Sequence, residues 1–167
     1  KGVQWDLTGF HVYPHQHSRS LLSDGWYGPG GPLAQLGAFG KPVHINEFNC
    51  GEIYDDDYEN VAGQAKTESC LRGLARHLRE LVQQAPAFVE AVHVYELFDE
   101  PQKASPENRF GLFHDIDRPK PHLSLVTAIA GGAVSALERA DLTRRGLLTD
   151  ADIDTARTRT RAVAAAR

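Results

Sequence analysis

No apolar run in the 167 residues approaches the roughly 20 needed to cross a bilayer, so the sequence offers no membrane-spanning helix. Nor is there an excess of basic charge: the formal net charge is −4, and Lys and Arg are scattered without forming a stripe. Nucleic acid is therefore not an expected partner, and a neutral or mildly polar ligand fits better. Internal repeats and low-complexity stretches are missing, which removes solenoids and linkers from consideration. Cysteine is scarce. Of the two, Cys50 follows a strand-end glutamate and Cys70 lies in a helical pattern; sequence does not supply the Cα separation that decides a disulfide, so the pairing stays open here. The chain also opens without methionine, at Lys1, almost directly into a strand. That start reads as a piece of something longer, and the lack of a visible signal peptide says little about compartment.

What is present is an ordinary globular composition, 41% hydrophobic and 24% charged, able to bury a core. The most informative run is Lys41-Pro42-Val43-His44-Ile45-Asn46-Glu47-Phe48-Asn49, a short β-type segment that delivers a carboxylate to its C-terminal end. Strand alternation places Val43, Ile45 and Glu47 on one side, so the glutamate is expected to follow two apolar residues out of a packed interior. A solvated glutamate at a strand end would be the plain reading of Glu47 alone. Two other segments argue against it. Gly9-Phe10-His11-Val12-Tyr13-Pro14 ends a strand about one βα unit upstream, with His11 and Tyr13 on a common face. Ala91-Val92-His93-Val94-Tyr95-Glu96-Leu97-Phe98-Asp99-Glu100-Pro101 is a third apolar and aromatic run that finishes in acids.

The order of elements follows from periodicity. Strands are expected over about 4–13, 41–47 and 88–97, a short helix over 32–39, and a long helix over 58–84 carrying Val61, Ala65, Leu71, Leu74, Leu78 and Leu81. The loop 15–32 is long enough to be functional. Residues 99–120 read as a long polar connection, and 121–140 as one helix in spite of Gly131-Gly132, which should weaken its middle. Thr149 suits the N-cap of a final Ala- and Arg-rich helix, with Asp150 and Asp152 well placed against its dipole. A β-α-β-α-β-α order with an added C-terminal helix is the pattern of parallel α/β folds. Three strands are too few for a closed (β/α)8 barrel, which needs about eight strands and about 250 residues.

The succession His11-Val12-Tyr13, Lys41 to Phe48, and Tyr95 to Pro101 resembles strands six, seven and eight of the large clan of retaining glycoside hydrolases with TIM-barrel folds. Arg109-Phe110-Gly111-Leu112-Phe113, with Lys120-Pro121 after it, is similar to the tail of the same barrels, including β-1,3-glucanase-like members. The resemblance covers roughly residues 4–135. It implies a partial TIM barrel over 1–140, with 141–167 as a helical extension. By that resemblance Glu47 is the nucleophile, which attacks the anomeric carbon of a β-linked glycan to form a covalent intermediate. Tyr13 donates a hydrogen bond that stabilises the carboxylate form. His11 lines the sugar subsite, Tyr95 or Glu96 adds a wall or a hydroxyl contact, and Trp26 with Tyr27 offers aromatic faces to the sugar, or else anchors the loop. Retaining hydrolysis needs a second carboxyl group about 5 Å from the nucleophile. The clan keeps it on an earlier strand, so the acid/base is expected in an N-terminal part outside this sequence, and the chain alone is expected to be inactive. The partners implied are an oligo- or polysaccharide and the remaining barrel strands, with self-association as the alternative; a secreted or periplasmic setting would suit the family.

Two other readings compete. His11, His15 and His17 with Asp55-Asp56-Asp57 raise a metal site, but no second histidine pair or bridging carboxylate completes a set, and the aspartates lack the spacing and glycine of a calcium loop. No metal and no cofactor are expected. The stronger competitor is a non-catalytic carbohydrate-binding or structural partial barrel, which keeps the groove without the acid/base.

Overall fold

The structure, a computed structural model, describes residues 3–14, 30–51, 63–104 and 107–165. Three strands, β1 (Thr8–Val12), β2 (Val43–Phe48) and β3 (Val89–Val94), form a parallel sheet in the order β1-β2-β3. Between and after them come helices α1 (Pro32–Gly37), α2 (Gly63–Gln84), α3 (Pro121–Ile129), α4 (Ala136–Arg144) and α5 (Asp150–Ala165). The chain is thus mixed α/β, with a three-stranded parallel sheet and five α-helices among the described residues.

One face of the sheet holds the core. Val43, Ile45 and Phe48 are fully buried against Leu71, Leu74, Leu78 and Leu81, which recur along α2 at three- and four-residue intervals. Leu33 of α1, Leu125 and Ile129 of α3, Leu142 of α4 and Ile153 of α5 join the same cluster. Within 141–167, read from sequence as an extension, Leu142, Leu147, Leu148 and Ile153 therefore contribute to the core that covers the sheet. The opposite face is polar and open, with His11, Asn46, Glu90 and His93 exposed on it.

Three sequence expectations are corrected. The stretch 121–140 is two helices, because α3 stops before Gly131, whose φ of 79° belongs to the left-handed region. Helix α4 then restarts on a capping box: Ser135 Oγ accepts from the Glu138 amide and the Glu138 carboxylate accepts from the Ser135 amide at 2.7 Å. The connection 99–120 is not merely polar loop. It contains a 3₁₀ turn (Glu107–Arg109) and an antiparallel pair, β4 (Phe113–Asp115) and β5 (Arg118–Pro119), and Phe98 bridges to Phe113. Third, Glu47 does not share the face of Val43 and Ile45, for a reason given below. The expected Thr149 cap is present, its hydroxyl accepting from the Asp152 amide at 3.1 Å. The long helix begins at Gly63 in the described residues; 58–62 lie outside them.

Candidate active site at the strand ends

Pairing across β2 slips by one residue next to Glu47. Phe10 is opposite Ile45, but His11 is opposite Glu47 and Val12 opposite Phe48, so Asn46 is an extra residue in the ladder. On the other side Ile45 meets Val92 and Phe48 meets Val94, again two residues of β2 against one of β3. This bulge resets the alternation: Phe48 returns to the core, and Glu47 turns to the open face with His11. Strict alternation would have sent the glutamate into the helix layer.

The re-aimed carboxylate is half-buried and well held. Tyr13 Oη donates to Glu47 Oε2 at 2.6 Å, and His11 Nδ1 lies 3.4 Å from the same oxygen. Both contacts fall on Oε2, so among the described residues Oε1 has no protein partner. The three residues come from two adjacent parallel strands at their C-terminal ends, where open α/β sheets place ligands.

An aromatic cluster lies beneath. Phe110 sits 5.5 Å from the Tyr13 ring and 5.4 Å from the Tyr95 ring, and packs with the Cys50–Cys70 pair. Those cysteines are disulfide-bonded, with Cα atoms 5.2 Å apart, so the chain just after β2 is tied to α2. The sequence had left that pairing open. Buried Asn49 joins the layers: its Nδ2 donates to the Tyr95 carbonyl at 2.5 Å and to the Phe110 carbonyl at 3.0 Å.

Past β3 the acids sort into two networks. Burial first, and then a hydrogen bond shared with Glu100, push Glu96 up to about 6. Glu100 is held below its ordinary value, chiefly by Lys103, and Lys103 also hydrogen-bonds Tyr95. Tyr95 is itself raised, mainly by burial and then by Glu96. Asp99 serves structure. Its Oδ1 accepts from the Gly111 amide at 2.9 Å and from Lys120 Nζ at 2.8 Å, and its Oδ2 lies 3.0 Å from His114 Nδ1. Gly111 is required because a Cβ there would overlap the main chain at Phe98 and Asp99. Burial lowers the Lys120 pKa, with Asp99 opposing.

Of the site residues expected from sequence, Glu47, Tyr13 and His11 come together, and Tyr95 joins them through Phe110. Glu96 stands beside Tyr95 but bonds to Glu100. Trp26 lies outside the described residues, as do Tyr27, His15, His17 and Asp55 to Asp57. Among the described residues no group of three His, Cys, Asp or Glu side chains could hold a metal. Sequence reasoning missed Asn49 and Phe110; a polar residue two positions beyond a strand-end acid was the available signal for the first.

The chain matches no family model, no curated protein and no solved structure.

Proposed function

We propose that the chain is the C-terminal part of a (β/α)8 glycoside hydrolase that cleaves β-linked glycans with retention, and that Glu47 is its nucleophile. The observation that carries this reading is the 2.6 Å bond from Tyr13 Oη to Glu47 Oε2 at the C-terminal ends of parallel strands. A phenol O–H on one carboxylate oxygen fixes the plane of the group, leaving Oε1 to attack. In the reaction Oε1 bonds to the anomeric carbon as the bond to the leaving oxygen breaks, and water later releases the sugar from Glu47. His11 contacts the sugar beside the scissile bond. Tyr95 and Glu96 add a wall from the last strand, the Glu96 proton, kept up to about pH 6, being shared with Glu100. The acid/base that protonates the leaving oxygen is supplied from outside this sequence.

One observation favours the second reading, glycan binding without hydrolysis: both described partners of Glu47 are neutral-capable donors, Tyr13 and His11, and neither is a carboxyl group. An activated aryl β-glycoside separates the two, since its leaving group needs little protonation. We expect slow turnover that Glu47→Ala abolishes and Tyr13→Phe lowers by about 10- to 100-fold, the value of one hydrogen bond to a charged group. Binding of oligosaccharides with no turnover, equal in chain and variants, would favour the second reading.

A further inference from the structure

We propose that Asn49 is a positioning residue for the Tyr13–Glu47 pair, acting through Phe110. The inference rests on the reading of Glu47 as the reactive carboxylate. Asn49 lies two residues beyond Glu47 and is 3% exposed. Its amide is used at both ends. Nδ2 donates to the main-chain carbonyls of Tyr95 at 2.5 Å and Phe110 at 3.0 Å, and Oδ1 accepts from the Cys50 amide at 2.8 Å. Two carbonyls converging on one nitrogen demand a double donor of this length. Aspartate, the same shape, would set acceptors against acceptors, and an aliphatic residue would take the donor away.

The two carbonyls belong to the residues whose rings pack under the site. With the main chain at 95 and 110 tied to β2, the Phe110 ring is held between Tyr95 and Tyr13, at 5.4 Å and 5.5 Å. The Phe110 ring in turn sets where the Tyr13 hydroxyl stands. A shift of about 1 Å would turn the 2.6 Å bond to Glu47 into a loose contact, with a cost in rate far larger than in fold. The clamp has a firm base, because Cys50, the next residue, is bonded to Cys70 on α2. Asn49 thus reaches the carboxylate through a carbonyl, a phenyl ring and a phenol, without a described contact to Glu47.

The test uses the full chain labelled with ¹³Cζ-tyrosine, the Tyr13 resonance being identified by its loss in Tyr13→Phe. Glu47→Gln defines the resonance position when the charged acceptor is gone. We expect Asn49→Asp to move the Tyr13 resonance toward that position. Phe110→Leu leaves the Asn49 main-chain bonds in place and removes only the ring; it should do the same, and it decides the matter if Asn49→Asp does not fold. With aryl glycoside, Asn49→Asp should lower kcat about tenfold with KM little changed, and add less than about twofold in a Tyr13→Phe background, as coupled residues do. An unmoved Tyr13 resonance in folded Asn49→Asp and Phe110→Leu chains would overturn the proposal, as would rate losses that multiply independently with Tyr13→Phe. Absence of both turnover and covalent labelling with the activated aryl glycoside, whose leaving group needs no acid, would count against Glu47 as nucleophile, and the resonance would still decide the role of Asn49.

Discussion

His122 and Glu96 pull the stability of this fold in opposite directions over the same pH range. Burial first, and then the charge of Lys120, hold His122 down to about 3. The unfolded chain takes up that proton near pH 6.5 and the native chain does not. The contribution of His122 is therefore complete above pH 6.5 and is lost as pH falls toward 3. Between pH 6.5 and 5 the loss is about 2 kcal/mol. Glu96 has the reverse sign, since its folded value of about 6 lies above the unfolded one; its contribution is present below pH 4.5 and is lost as pH rises through 6. Urea unfolding at pH 6.5 and pH 5 separates the two. His122→Leu should remove the acid-side loss, and Glu96→Gln should deepen it. A His122→Leu chain with the parent's pH dependence would show that the imidazole is not shut away from protons in the folded state.

At the scale of elements, the apolar periodicity in α2 and the β-branched runs were enough to place the helix and the strands, because those patterns face the core directly. Two of the departures, the bulge in β2 and the break after α3, depend on neighbours far along the chain. The bulge is set by pairing with both β1 and β3, which single-strand alternation does not contain. The break depends on α5. A Cβ on Gly131 would overlap the Thr160 hydroxyl and stand 2.7 Å from the Ala156 carbonyl oxygen, so the glycine serves both the turn and the close crossing of α3 with α5. Gly131→Ala should therefore cost about 2 kcal/mol, more than a left-handed residue alone, and calorimetry would register it as a drop in Tm. Thr160→Ala removes one of the two overlaps and should recover part of that loss. If Gly131→Ala melted with the parent chain, the tight crossing would be wrong.

For the molecule as a whole, one apolar cluster runs from β1 to α5, and the polar face of the sheet carries Glu47, His11 and His93. That His11, Tyr13 and Glu47 stand at neighbouring strand ends was legible in the sequence, whereas the face of Glu47 was not, because strict alternation misplaces it. Nor was the part of the site made by Asn49, Phe110 and the disulfide. Asn49 works through main-chain carbonyls that any residue possesses, and Phe110 reaches the site by a turn that follows a polar connection. The central claim is that this arrangement makes Glu47 a nucleophile. Incubating the chain with an activated 2-deoxy-2-fluoro β-glycoside, which traps a glycosyl-enzyme, and mapping the adduct by peptide mass spectrometry tests it most directly. The account predicts one sugar per chain, on Glu47, formed more slowly in Tyr13→Phe and absent in Glu47→Ala. An adduct on any other carboxylate, or a folded chain that takes up none, would contradict it.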